Sequence, residues 1–174
     1  MIGWLGLSGS KRMESNTRAR KPVSEEVAYQ RMARLCSMRE YATFDIRQKL
    51  QRMQLDEGVV RAILSRLEKH RFIDDARFAR SFISDKLRFG KWGRAKIVYA
   101  LRQRQVPQEI IDEAFDALPD EAVTRQLRPL LEKKLQSLQG KSGYERRTKA
   151  IRFALNRGFS MSEILECLGE IEEE

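Results

Sequence analysis

Between Arg77 and Arg104 the run RFARSFISDKLRFGKWGRAKIVYALRQR carries nine Lys or Arg against one acid, Asp85. Phe78, Phe82, Phe89, Trp92 and Tyr99 stand among the charges. The chemistry open to such a stretch is recognition of negative charge. It repels itself unless something neutralises it, whereas a phosphate backbone or an acidic protein groove gains attraction and releases counterions on contact. Arg77, Arg80, Lys86, Arg88, Lys91, Arg94 and Lys96 are the candidate contacts. Trp92 is either an exposed anchor or a staple that holds its helix to the core, and both readings stay open because Tyr41 occupies its place in an internal repeat. Phe78 and Phe82, four residues apart, fit a buried helical stripe better than a row of stacking platforms.

Other reactive residues do not assemble into a catalytic set. His70 is the sole histidine and lies between Lys69 and Arg71 at an expected helix end, where a favourable dipole interaction accounts for it. The ten glycines form neither G-x-x-x-x-G-K nor G-x-G-x-x-G, so no phosphate loop is present. Asp74 and Asp75 suggest helix capping before a metal site. Cys36 and Cys167 have no Cys-x-x-Cys or Cys/His companion and read as small buried hydrophobes. The expectation is a binding protein, not an enzyme, with no cofactor and no metal.

The 174 residues are 34% charged and 41% apolar with a formal charge of +9, bounds that fit one or two soluble domains. The excess falls along the chain and ends in the acids Glu170, Glu172, Glu173 and Glu174. No run approaches the roughly 20 apolar residues needed to span a bilayer, and the opening apolar patch precedes its basic residues, the wrong order for a secretory signal. A cytoplasmic location without membrane contact follows as the default. Residues 1–23 are expected to be a disordered basic arm, with Met13 as an alternative start.

The elements that must position the cations come from a repeat. Ile46, Leu50, Leu55, Val60, Leu64 and Leu67 fall on Ile97, Leu101, Val106, Ile111, Phe115 and Leu118 at a constant offset of 51 residues. In a weaker third copy Ile151 and Leu155 are placed over Ile97 and Leu101, and then Phe159, Ile164 and Leu168 over Val106, Ile111 and Phe115 after a one-residue deletion. Each copy reads as three helices. Thr43 is expected to cap the second helix of copy one, Asp74 the first helix of copy two, and Ser160 to Glu163 forms a capping box. The helix after Asp74 is expected to stop at a left-handed Gly90, and Pro129 to kink a helix bearing Leu127, Leu131, Leu135 and Leu138. No alternating strand pattern survives. The expected fold is all-α, with three tandem three-helix repeats at 24–73, 74–118 and 119–174 forming an elongated, curved molecule.

The segment Arg71-Phe72-Ile73-Asp74-Asp75-Ala76-Arg77-Phe78-Ala79-Arg80-Ser81-Phe82 resembles the signature of the RecX family of bacterial recombination regulators, G/R-[FY]-[IL]-[DN]-D-x-x-[FY]-A-x-x-[FWY]. The basic stretch Arg88 to Ile97, the segment Leu101 to Val106, and Arg157-Gly158-Phe159-Ser160 also fit, so the resemblance runs from about Val27 to Leu168. It implies a modulator that binds the RecA filament on single-stranded DNA and restrains ATP hydrolysis, strand exchange and co-protease activity, by limiting filament extension or promoting disassembly. It further implies contact with DNA, a monomer, no reaction of its own, and a RecA/DNA-binding role for Arg77, Arg80, Lys86, Arg88, Lys91, Trp92, Arg94 and Lys96. The family pattern does not explain the arm before Val23. The reading from another class is a helix-turn-helix-like DNA-binding protein that acts without RecA, its recognition helix running from Gly93 to Arg104.

Overall fold

Apolar residues recurring every three or four positions wind into helices in the computed structural model, which describes residues 23–173. The arm therefore lies outside the described residues except for Val23, which packs against the first core. Nine α-helices and no strand are found among the described residues, in the order α1 Glu25–Met38, α2 Thr43–Gln51, α3 Glu57–Lys69, α4 Asp75–Asp85, α5 Arg94–Arg102, α6 Gln108–Asp116, α7 Leu127–Gln136, α8 Gly143–Leu155 and α9 Met161–Glu173. Close packing stays within successive triplets, α1 to α3, α4 to α6 and α7 to α9, so the molecule is an elongated series of three-helix units.

Each triplet encloses its own apolar cluster. Ile46, Leu50, Ile63 and Leu67 centre the first, Ile83, Ile97, Leu101 and Ile111 the second, and Leu127, Leu131, Ile164 and Leu168 the third. Phe78 is buried in the second core with Phe82 packed against it, ring centroids 5.6 Å apart, as the four-residue spacing predicts. Ala42 belongs to the second core although it precedes α2, so the first two cores share a wall.

The third copy has a different register from the one expected. Ala150 and Ala154 are buried in α8 whereas Leu155 is 40% exposed, which places the third copy 53 residues after the second without a deletion. Left-handed residues mark the same spacing: Gln54 (φ 58°), Gln105 (φ 55°) and Gly158 (φ 89°) end α2, α5 and α8. Matching large apolar residues passed over the alanines that hold the interior positions.

Helix ends supply three further corrections. Asp74 caps α4 through the Arg77 N–H at 2.9 Å, as expected, but Thr43 does not cap α2; its own N–H donates to Asp75 Oδ1 at 2.8 Å, so that cap comes from the next unit. The chain beyond α4 continues as a π-helical turn, Lys86–Gly90, and the left-handed residue is Lys91 (φ 52°), not Gly90. Gly90 is small for another reason, since a Cβ there would meet Trp92 Cδ1 at 3.3 Å. Pro129 falls in the first turn of α7, where its missing N–H has no intrahelical partner to lose, so no kink is needed. The Ser160 to Glu163 capping box forms in both directions, Glu163 N–H to Ser160 Oγ at 3.2 Å and Ser160 N–H to Glu163 Oε2 at 2.6 Å.

The second and third units meet backbone to backbone. Gly93 N–H donates to the Arg157 carbonyl at 2.7 Å and Ala95 N–H to the Gly158 carbonyl at 3.1 Å, so orphan donors at the start of α5 are satisfied by the following unit. A Cβ on Gly93 would lie 2.4 Å from the backbone of Gly158, a distance no local adjustment absorbs. We expect Gly93→Ala to destabilise the protein by about 1–3 kcal/mol in urea denaturation, the usual range for overpacking. Gly58→Ala in α3, where a Cβ would meet nothing within 4 Å, should be neutral or stabilising by up to about 1 kcal/mol, the helix-propensity difference.

Candidate nucleoprotein-binding surface

The seven candidate cations divide by what they touch. Arg77 ties the first two units together: its Nε donates to Glu40 Oε1 at 2.6 Å and its Nη2 to the Arg71 carbonyl at 3.1 Å. The Glu40 hydrogen bond is also the main reason its guanidinium titrates above the ordinary arginine value. Lys91 Nζ donates to Gln126 Oε1 at 2.6 Å, and Arg94 lies 3.4 Å from Asp112 and 4.4 Å from the centre of the Phe115 ring. These three are engaged inside the molecule. Arg80 and Arg88 are exposed and have no ion-pair partner among the described residues. Lys86 and Lys96 both lie on the Trp92 ring, 4.9 and 4.6 Å from its centre.

Trp92 is half-buried against the second core, so its body holds the turn while its ring seats two lysines. Phe89 is the protruding aromatic, 77% exposed at the end of the π-helical turn, with the Arg88 guanidinium 5.5 Å from its ring centre. A π-helical turn adds backbone within a helical segment and re-aims its side chains, and such turns are frequent at functional sites. An exposed Phe beside the unpaired Arg88 is a suitable docking knob for an acidic protein surface, since aromatic and Arg side chains dominate interface energetics.

Residues outside the candidate set were less visible in the sequence. Tyr41, at the repeat position of Trp92, also carries two cations, Arg39 at 4.4 Å and Lys49 at 5.6 Å from its ring centre. Arg104 reaches back to Asp45 at 3.4 Å, and Arg157, 53 residues later, reaches back to the Gly90 carbonyl at 3.2 Å. Repeat spacing was the available signal for both pairs. His70 terminates α3 with its ring 6.4 Å from that of Tyr29. Among the described residues, no group of three or more His, Cys, Asp or Glu could hold a metal, and no helix is long and apolar enough to cross a membrane.

Comparison with known proteins decides the kinship. Residues 74–114 match the RecX second three-helix domain and residues 120–168 the RecX third three-helix domain. A regulatory protein RecX of Prosthecochloris aestuarii is 31% identical over 157 residues, covering 90% of this chain and 97% of the relative. The chain belongs to the RecX family. A RecX-family relative from Thermus thermophilus, also named a regulatory protein, is 31% identical over 87% of this chain and 95% of its own length. The fold agrees with the crystal structure of RecX from Lactobacillus salivarius at a TM-score of 0.78 and 19% identity, covering 86% of this chain and 97% of that one. A second RecX crystal structure gives 0.76 at 25% identity, over 86% of this chain and 73% of that one. The expected resemblance and the all-α fold of three helical units are thus both found.

The two cysteines are free and buried, one in α1 and one in α9. Burial, with Glu40 adding to it, pushes the Cys36 thiol up to about 11. A neutral buried thiol favours folding fully below the unfolded value near 9.0, and that contribution is lost as pH rises toward 11. We expect Cys36 to react with a thiol reagent at pH 8 far more slowly than an unfolded-chain cysteine, and urea to abolish the difference.

Proposed function

We propose that this protein binds the RecA–DNA filament and restrains RecA, lowering its recombinase, ATPase and co-protease activities by limiting filament extension or promoting disassembly. Family membership over nine-tenths of the chain supports this reading, and the observation that carries it is the exposure on the second unit of Phe89 with Arg88 over its ring, and of Arg80. The protein acts in the cytoplasm as a monomeric binder without a reaction or cofactor of its own. Its units, residues 24–73, 74–118 and 119–174, follow one another as a rod that touches more than one RecA subunit in this reading.

A rod that contacts adjacent subunits shifts the filament only through a difference in affinity between their arrangements. Coupling of about 1–3 kcal/mol changes the balance of growth and loss by roughly 5- to 150-fold. Arg80, Arg88 and Phe89 are the protein-facing contacts in this reading. Arg77, Lys91 and Arg94 hold the units in shape, since each is bound within the chain.

The test is RecA ATP turnover on single-stranded DNA with increasing amounts of this protein. Turnover should fall at substoichiometric protein, and the Arg80→Glu, Arg88→Glu, Phe89→Ala triple variant should restore it while keeping its helical circular dichroism. Unchanged turnover at every concentration of the unaltered protein would defeat the proposal.

A further inference from the structure

The two joints between units are made of different contacts. Where the second unit meets the third, the amides of Gly93 and Ala95 are bonded to the carbonyls of Arg157 and Gly158, and Val123 packs against both cores. Gly93 lies so close to Gly158 that neither side can turn without breaking those main-chain bonds. Where the first unit meets the second, the contacts run through side chains. Thr43 N–H donates to Asp75 Oδ1 at 2.8 Å, Arg77 Nε to Glu40 Oε1 at 2.6 Å, and Arg104 Nε lies 3.4 Å from Asp45 Oδ2.

The chain crosses the first joint at Ile73–Asp74, directly from a buried residue of the first core to the cap of α4. Asp75 follows at once, and its partner Thr43 adjoins Ala42, which is fully buried in the second core. Link, cap and apolar plug thus coincide in one pivot. Away from it, Glu40, Tyr41 and Asp45 of the first unit face Phe78, Phe82 and Arg104 of the second across a cavity of about 310 Å³. The two ion pairs beside this cavity have side chains about a third exposed, so they are weak and screened by salt. Glu40 Oε1 is taken by Arg77, yet Oε2 is buried with no hydrogen-bond partner, a cost that opening to water removes.

We propose that the first joint is a hinge: α1 to α3 swing about the Ala42, Thr43 and Asp74–Asp75 pivot, Glu40–Arg77 and Asp45–Arg104 form its ionic clasp, and α4 to α9 move as one body. Hinges are a few residues at element ends that absorb the backbone change, which is the form this pivot takes. The first unit then changes its angle to Arg88 and Phe89 without disturbing the turn that carries them. The hinge is a property of the free chain and is measured without RecA, so it stands or falls separately from the filament reading.

Pulsed electron paramagnetic resonance between nitroxides on introduced, exposed cysteines tests it: Arg61→Cys with Glu109→Cys spans the first joint, and Glu109→Cys with Arg152→Cys the second. The native thiols are buried and take up label far more slowly. Raising salt from about 0.1 to 1 M, which cuts the screening length from about 10 to 3 Å, should broaden the first distance distribution and leave the second unchanged. Glu40→Gln with Asp45→Asn should raise the ratio of open to closed populations roughly 5- to 30-fold at about 0.1 M salt and remove the salt response, as expected for two lost surface ion pairs. Should that variant lose helical circular dichroism, the single changes are read instead, each raising the ratio up to roughly 5-fold. A first distribution that stays fixed across salt and in the variants overturns the hinge. So does a second distribution that broadens as much as the first, which would make the whole chain loose and not jointed at one place.

Discussion

The second helix of a unit starts against the unit that follows it, and the rest of the structure depends on that contact. The first amide of α2 is satisfied by Asp75, and donors at the start of α5 by the carbonyls of Arg157 and Gly158. A triplet of about 50 residues buries too little apolar surface to be comfortable alone. Sharing helix caps converts three marginal cores into a mutually dependent series. Because a buried amide without a partner is costly, the caps also set where each unit begins relative to the last.

The joints explain why the charge of the second unit serves two purposes. Arg77 and Arg104 reach back to acids of the first unit, while Arg157 reaches back to backbone oxygens of the second. Each such contact is partly exposed and individually modest, within about 1 kcal/mol for a surface ion pair. Their value lies in geometry, since they fix the angle at which the remaining cations are displayed. Arg80 and Arg88 lie beyond this framework, and Lys86 and Lys96 are held on rings within it.

Local features were legible in the sequence because local physics produces them. The stripe from Ile46 to Leu67, the Asp74 cap and the Ser160 box each need only neighbours within one or two turns. Features made by distant parts were not. No spacing shows that Asp75 caps a helix starting at Thr43, or that Gly93 is small because Gly158 arrives from another unit. Charge density singled out the candidate stretch, yet it could not separate Arg77 and Lys91, which are bound internally, from Arg80 and Arg88, which are not. The third register slipped because Ala150 and Ala154 carry too little hydrophobicity to register as core, although their smallness suits the interior they fill.

Capping by a downstream partner gives the chain an order of assembly. A ribosome releases the N-terminal part first, so α2 emerges complete in sequence but still lacks the acceptor for its first amide. Only when Asp75 clears the exit tunnel is the Thr43 amide satisfied, and the amides of Gly93 and Ala95 wait in the same way for Arg157 and Gly158. Truncation within the third unit therefore frays the second, and damage would spread toward the N-terminus, against the direction of synthesis.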